Sequence, residues 1–124
     1  MKRDMDLCRK ILIAVADDPS WRAENFTIEA EGFSKEEISF HIMLLQEARL
    51  LKAWDFTAGD GRPHWEPERL TWEGYEFLET ARDTARWERA KIVLSKAMGG
   101  VGRFTLPILR ELLTSYLREE LRLP

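Results

Sequence analysis

Gly32-Phe33-Ser34-Lys35-Glu36-Glu37-Ile38-Ser39-Phe40-His41-Ile42-Met43-Leu44-Leu45-Gln46-Glu47-Ala48-Arg49-Leu50 is the stretch whose reading decides the fold. It reads as a helix, the second half of a helix-turn-helix. Ser34 and Glu37 have the spacing of a capping box, in which the Ser hydroxyl accepts from the Glu amide and the carboxylate accepts from the Ser amide. Phe33 before the cap and Ile38 inside the helix are spaced as a hydrophobic staple. Ile38, Ile42 and Leu45 fall on one face, with His41, Leu44 and Ala48 widening it. Lys35, Ser39, Met43, Gln46 and Glu47 are expected on the opposite side, free to meet a partner.

A chain of 124 residues is long enough for one domain with its own core. Apolar content of 44% and charged content of 33% are those of an ordinary globular chain. No apolar run reaches the roughly 20 residues that span a bilayer, so no membrane role is expected. The charged residues from Lys2 to Asp6 are not followed by an apolar signal region, and the single Cys8 fits a reducing cytoplasm. Charge is unevenly spread. Residues 1–81 carry 10 Lys/Arg against 17 Asp/Glu, a balance of −7; residues 82–124 carry 9 against 5, a balance of +4. The helix-turn-helix part is thus the acidic part, which counts against a generic DNA binder because such proteins set cations against phosphates.

Outward from the central helix, Met5, Cys8, Ile11, Leu12 and Val15 form a stripe that predicts a helix over 4–16, stopped by Asp17-Asp18-Pro19. Lys2, Arg3, Arg9 and Lys10 make a small basic collar, read as a solvated face. Trp21 is expected to cover the core from a loop. Alternation over 26–29 predicts a short strand. The helix that normally precedes a recognition helix is cut here to a turn at 30–32. After the central helix, 52–57 and 64–70 flank a Gly-rich tip at 58–63 and read as the two strands of a wing, with Pro67 placing the second at an edge or a break. Thr71 is expected to cap a third helix, with Leu70 and Tyr75 as a staple and Trp72, Tyr75, Leu78 and Ala81 sharing a face. Gly74 costs that helix about 1 kcal/mol relative to Ala and so marks a close approach by another element. Trp87, Ala90, Leu94 and Ala97, a turn at 99–102, then Thr105 as a cap and Leu106, Leu109, Leu113, Tyr116 and Leu117 as a seam predict a helical hairpin. That seam could face the fourth helix, the core or a second subunit, which leaves room for a homodimer through the C-terminal helices. The fold expected is mostly α with a small antiparallel sheet (α+β): a winged helix-turn-helix over 1–83 with a C-terminal helical hairpin over 84–124, packed as a single folding unit.

Three segments carry a likeness. Met1-Lys2-Arg3-Asp4-Met5-Asp6-Leu7, Ser34-Lys35-Glu36-Glu37-Ile38-Ser39-Phe40-His41 and Leu70-Thr71-Trp72-Glu73-Gly74-Tyr75-Glu76-Phe77-Leu78 resemble a family of small proteins, common in bacteriophages and prophages, classed as a domain of unknown function. The resemblance covers nearly the whole chain. It implies a winged-helix fold and a phage or prophage origin; it implies no activity and no site residues.

No catalytic constellation is present: no phosphate-binding Gly-Lys-Ser/Thr loop, no nucleophile elbow, no Cys-x-x-Cys. No enzyme activity, cofactor or metal is expected. His41 falls on the inner side of its helix and reads as a core histidine; His64 sits at the wing, open to solvent or to a phosphate. Trp54, Trp72 and Trp87 are expected in the core. Two functions follow. The first is a DNA-binding phage regulator, with Lys35, Ser39, Met43 and Gln46 in the major groove, Arg62 of the wing against the backbone or minor groove, and the N-terminal basic residues adding phosphate contacts. The second is a module that binds a host or phage protein through Phe40 and Met43 on the outer side of the central helix. The first is favoured only because winged helices so often bind DNA.

Overall fold

Asp4 and Ser34 open the first two helices in different ways. The computed structural model describes residues 1–22, 27–97 and 104–124. Helix α1 spans Met5–Asp17 and α2 spans Lys35–Glu47. In α2 the expected box is complete: the Ser34 hydroxyl accepts from the Glu37 N–H at 3.1 Å and the Glu37 carboxylate accepts from the Ser34 N–H at 3.0 Å. In α1 the Asp4 carboxylate accepts from Leu7 N–H at 3.0 Å. Leucine at that third position cannot return the second bond. His41 supplies it from α2 instead: its Nε2 accepts from Asp4 N–H at 2.8 Å, while Nδ1 lies 2.6 Å from the Glu37 carbonyl. One ring nitrogen accepts and the other donates, so the imidazole is the neutral Nδ1–H tautomer. It is 1% exposed, a core histidine as the helical spacing predicts.

Strand β1 (Leu51–Asp55) and strand β2 (Trp65–Leu70) pair antiparallel as one two-stranded sheet. Leu51 faces Leu70, Ala53 faces Pro67 and Asp55 faces Trp65, with an irregularity between Lys52 and Ala53 that leaves Glu68 as an extra residue in β2. Phe56 N–H donates to the His64 carbonyl at 2.7 Å, so the alternate residues Ala53 and Asp55 turn their backbone groups away from β2. Pro67 therefore sits where its missing N–H removes no ladder bond, beside the bulge, as its position at a break requires. Asp55 ends β1, and its carboxyl is held below its ordinary range by hydrogen bonds from the Thr57 side chain and N–H.

Helix α3 spans Trp72–Ala81, α4 spans Thr84–Ala97 and α5 spans Leu106–Glu120. The described residues thus make five helices and one small sheet, an α+β arrangement. The chain divides into two compact units, Met1–Glu76 and Phe77–Pro124, with the division inside α3. In the first, α1 packs on α2 and on β2, and α2 touches both strands. Leu7, Ile11, Leu12, Ile42, Leu45, Leu51 and Leu70 are buried there. Cys8 joins them, and burial pushes its thiol up to about 12. The thiol is therefore expected to resist iodoacetamide at pH 7.5 in the folded protein and to react at the rate of a free thiol in 6 M urea; rapid native alkylation, followed by mass spectrometry, would contradict this placement.

Gly74 is the close approach its sequence position implies. A Cβ there would lie 2.0 Å from the Leu50 carbonyl oxygen, on the residue that leads into β1. Thr71 fastens the same junction. Its N–H donates to Leu50 O at 3.1 Å, its hydroxyl donates to Arg49 O at 2.6 Å, and it accepts from Gly74 N–H at 3.0 Å as the cap of α3.

Within Phe77–Pro124, α5 lies on α4 and buries Leu109, Leu113 and Tyr116. The leucine seam faces α4 of the same chain, one of the three occupants the sequence leaves open. Arg86 is buried and clasps this unit. Its guanidinium donates to Glu120 at 3.1 and 2.5 Å and to the carbonyl of Thr80 at 2.9 Å, at the end of α3. Hydrogen bonding from Arg86 holds the Glu120 carboxyl below its ordinary value of 4.5. A carboxylate lowered in the folded state contributes stability above its unfolded pKa and loses it as pH falls through the folded value. In urea titrations, Glu120→Gln is expected to be less stable than the parent at pH 7, with the gap closing as pH drops below 4.5; a gap that stays constant with pH would remove the clasp from the account.

Several expectations are corrected. Residues 27–30 form no strand, and the remainder of the predicted strand, at position 26, lies outside the described residues, as does the turn at 99–102. Trp54 and Trp72, expected in the core, are 49% and 78% exposed, and Trp21 and Tyr75 are exposed too. The first Trp lies on the solvent face of a sheet that has only one covered face. Trp72 is in the first turn of α3, where its Nε1 donates to Glu76 at 2.9 Å, and the buried face of that helix runs through Gly74, Phe77, Leu78 and Ala81. The expected staple between Leu70 and Tyr75 does not close, since Tyr75 points to solvent. Ala48 is exposed as well. Thr105 opens α5 without a side-chain cap bond, and Pro107 stands in the first turn.

Candidate interaction surface

Side chains of α2 step by about 100° per residue, so Ser39 and Gln46, seven apart, stand on one flank. The β1–β2 hairpin covers that flank. Ser39 is 6% exposed; its hydroxyl accepts from Trp65 N–H and lies 3.4 Å from Trp65 O. Gln46 Oε1 accepts from Ala53 N–H at 2.7 Å, capping the outward-turned amide beside the bulge. Both residues were expected on the free side of the helix. Ser39 is buried and Gln46 half-buried, because the hairpin folds back against a flank that a two-sided reading of the helix assigns to solvent.

What remains outside is narrower. Glu36, Phe40, Met43 and Glu47 share the outer face, the first three half-buried and the last exposed. The Phe40 ring meets the His41 ring edge-on at 5.7 Å. Two apolar side chains are thus flanked by two carboxylates. Lys35 is exposed at the helix start and lines a cleft of about 360 Å³ with Ser39, Ile42, His64, Trp65 and Pro67. The structure therefore brings Lys35, Ser39 and His64 to one cleft, puts Phe40 and Met43 on another face, and leaves Arg62 exposed at the hairpin tip. His64 lies 3.8 Å from Glu66 and 5.9 Å from the Phe56 ring, on the outer sheet face.

A second groove, about 540 Å³, lies between the end of α2 and the hairpin, with Gln46, Glu68 and Thr71 among its lining. Arg49, Lys52 and Trp54 line it; strand alternation pairs Trp54 with Phe56 on one face, whereas no periodicity singles out Arg49 or Lys52. The available signal is at 47–51, where α2 runs into β1 with no glycine between them. A non-glycine residue must then take the left-handed conformation that ends the helix; it is Arg49, at φ 62°.

Among the described residues no group of three or more His, Cys, Asp or Glu is placed to hold a metal ion, and no helix is long and apolar enough to cross a membrane. No solved structure matches the chain. An uncharacterized protein of Haemophilus influenzae is 32% identical over 94 residues, covering 76% of this chain and 79% of that one. Residues 2–101 match the family described as hypothetical protein (DUF2513), and the chain belongs to that family.

Proposed function

We propose that Met1–Glu76 is a winged-helix-type module, of phage or prophage origin and without enzyme activity, that binds a protein partner in the cytoplasm through the outer face of α2. One observation carries the reading. Ser39 and Gln46, the side chains best suited to reading bases, are engaged with the hairpin backbone, and the face left open sets Phe40 and Met43 between Glu36 and Glu47. Phosphates would be repelled by those carboxylates, whereas a protein surface can meet them with cations around an apolar centre. The DNA-binding alternative keeps Lys35, Arg62 and the N-terminal Lys2, Arg3 and Lys10 as exposed cations, but not Ser39 and Gln46 as free readers of bases.

Anisotropy of labelled random duplex DNA at 50 mM salt separates the two. No saturable binding is expected in the micromolar range. Met43→Glu is expected to abolish capture of a crosslinked host or phage protein that the parent retains. Duplex binding that weakens steeply with salt would replace this reading with the DNA one.

A further inference from the structure

Helix α4 buries Arg86, Trp87, Ala90 and Leu94. At about 100° per residue, Ile92 stands opposite that face. It is 56% exposed, and Val93 beside it is 42% exposed. Both are β-branched and form helix less readily than alanine, leucine or lysine, so at solvated positions they favour neither the helix nor its hydration. Ile92 adds nothing to the core of its own unit.

The charges around it are ordered. Glu88 lies four residues before Ile92 and Lys96 four residues after, so the three share one stripe. Both charged residues are exposed. Lys96 has no ion-pair partner among the described residues, and Glu88 meets Lys91 at 3.2 Å in a surface pair that solvent keeps weak. Arg89, the nearest like charge to Lys96 on the exposed side, is engaged within its own unit: it donates to Glu119 at 3.0 Å and lies 3.7 Å over the Tyr116 ring. An acid and a base set equally far on either side of an apolar residue make a self-complementary pattern. Turned about a two-fold axis at Ile92, an antiparallel second α4 brings Ile92 onto Ile92, Glu88 onto Lys96 and Lys96 onto Glu88. A C2 contact demands that symmetry, and an unrelated partner does not. Residues 82–124 carry a balance of +4, so two copies repel unless opposite charges meet where they touch. The leucine seam of α5 offers no alternative, because α4 of the same chain covers it.

We infer that the outer face of α4 pairs with the same face of a second copy of this chain, antiparallel and centred on Ile92. A single helix pair is a small interface, so association is expected at tens of micromolar and not at nanomolar concentrations. The pairing lies within Phe77–Pro124 and is independent of the α2 face.

Sedimentation equilibrium of the full chain, from about 2 to about 200 µM, reads the pairing. The mass is expected to rise from that of one chain towards that of two. Ile92→Glu is expected to weaken association at least tenfold with the thermal midpoint of the parent, since the position is exposed and glutamate is the better helix former. Glu88→Lys and Lys96→Glu are each expected to weaken it about tenfold, and the double variant to restore it, because exchanging both signs keeps the pattern. Ile92→Cys reports the register: oxidation is expected to give a covalent dimer. Lys96→Cys is expected to give little, because its two copies would lie about 12 Å apart along the helix axes, beyond disulfide reach. Cys8 is buried and does not compete. A monomer at every concentration overturns the inference, as does association unmoved by Ile92→Glu, a double charge variant no better than the singles, or equal crosslinking at both positions. A dimer lost in Met43→Glu and kept in Ile92→Glu also overturns it and moves the contact to α2.

Discussion

Gly74→Ala is expected to destabilise Met1–Glu76 by about 3 kcal/mol, although alanine is the better helix former by about 1 kcal/mol. The added methyl would meet the Leu50 carbonyl oxygen at 2.0 Å and its carbon at 3.0 Å, and both are backbone atoms that cannot rotate away. Leu50 is buried and its carbonyl already accepts from Thr71 N–H, so retreat would break the bond that joins the end of α2 to the start of α3. Urea unfolding followed by circular dichroism checks this. A variant as stable as the parent would mean that the α2–β1 junction and the first turn of α3 are not in contact.

His41→Phe is expected to lower stability by about 1–3 kcal/mol and His41→Ala by more. Phenylalanine fills the space but offers no acceptor, which leaves Asp4 N–H without its partner at a part-buried helix start. Alanine also leaves a cavity where the buried ring stood, beside the Phe40 ring. The Asp4 amide gives a local readout: its exchange with solvent is expected to speed up in both variants, ahead of the amides in the middle of α1. Unchanged exchange at Asp4 would show that the α1–α2 tie is not made by the imidazole.

These two residues also show what could be read before any coordinates. Gly74 in an otherwise helical run points to a close neighbour, and His41 falls on the same stripe as Ile38 and Ile42. Ser34 with Glu37, and Pro67 beside a break, were legible for the same reason: each is a local rule whose outcome depends on few other residues. Ser39, Gln46, Trp54 and Trp72 were not. A helical wheel gives the angle of a side chain but not how wide an arc the neighbours cover, and the hairpin extends the covered arc of α2 to a flank holding serine and glutamine. A two-stranded sheet with one open face leaves Trp54 in solvent, although tryptophan ordinarily argues for the core. Arg49 was silent in the pattern because its role comes from backbone conformation, and nothing in its residue type announces φ 62°. The mixed α+β arrangement was therefore legible, and the site only in part: Phe40 and Met43 lie on the outer face of α2, Lys35, Arg62 and His64 are exposed, and Ser39 and Gln46 belong to the scaffold.

The claim beneath the proposed function is that Ser39 and Gln46 are internal ties. Amide exchange at Trp65 and Ala53 tests it most directly. Both amides donate to those side chains, across 26 and 7 residues of sequence. Both are expected to be protected in the parent, exchanging only as the unit opens, and Ser39→Ala and Gln46→Ala are each expected to release their own partner and not the other. Exchange at the rate of an open loop in the parent chain would contradict it, returning a hydroxyl and a carboxamide to the outer surface of α2, where bases could be read.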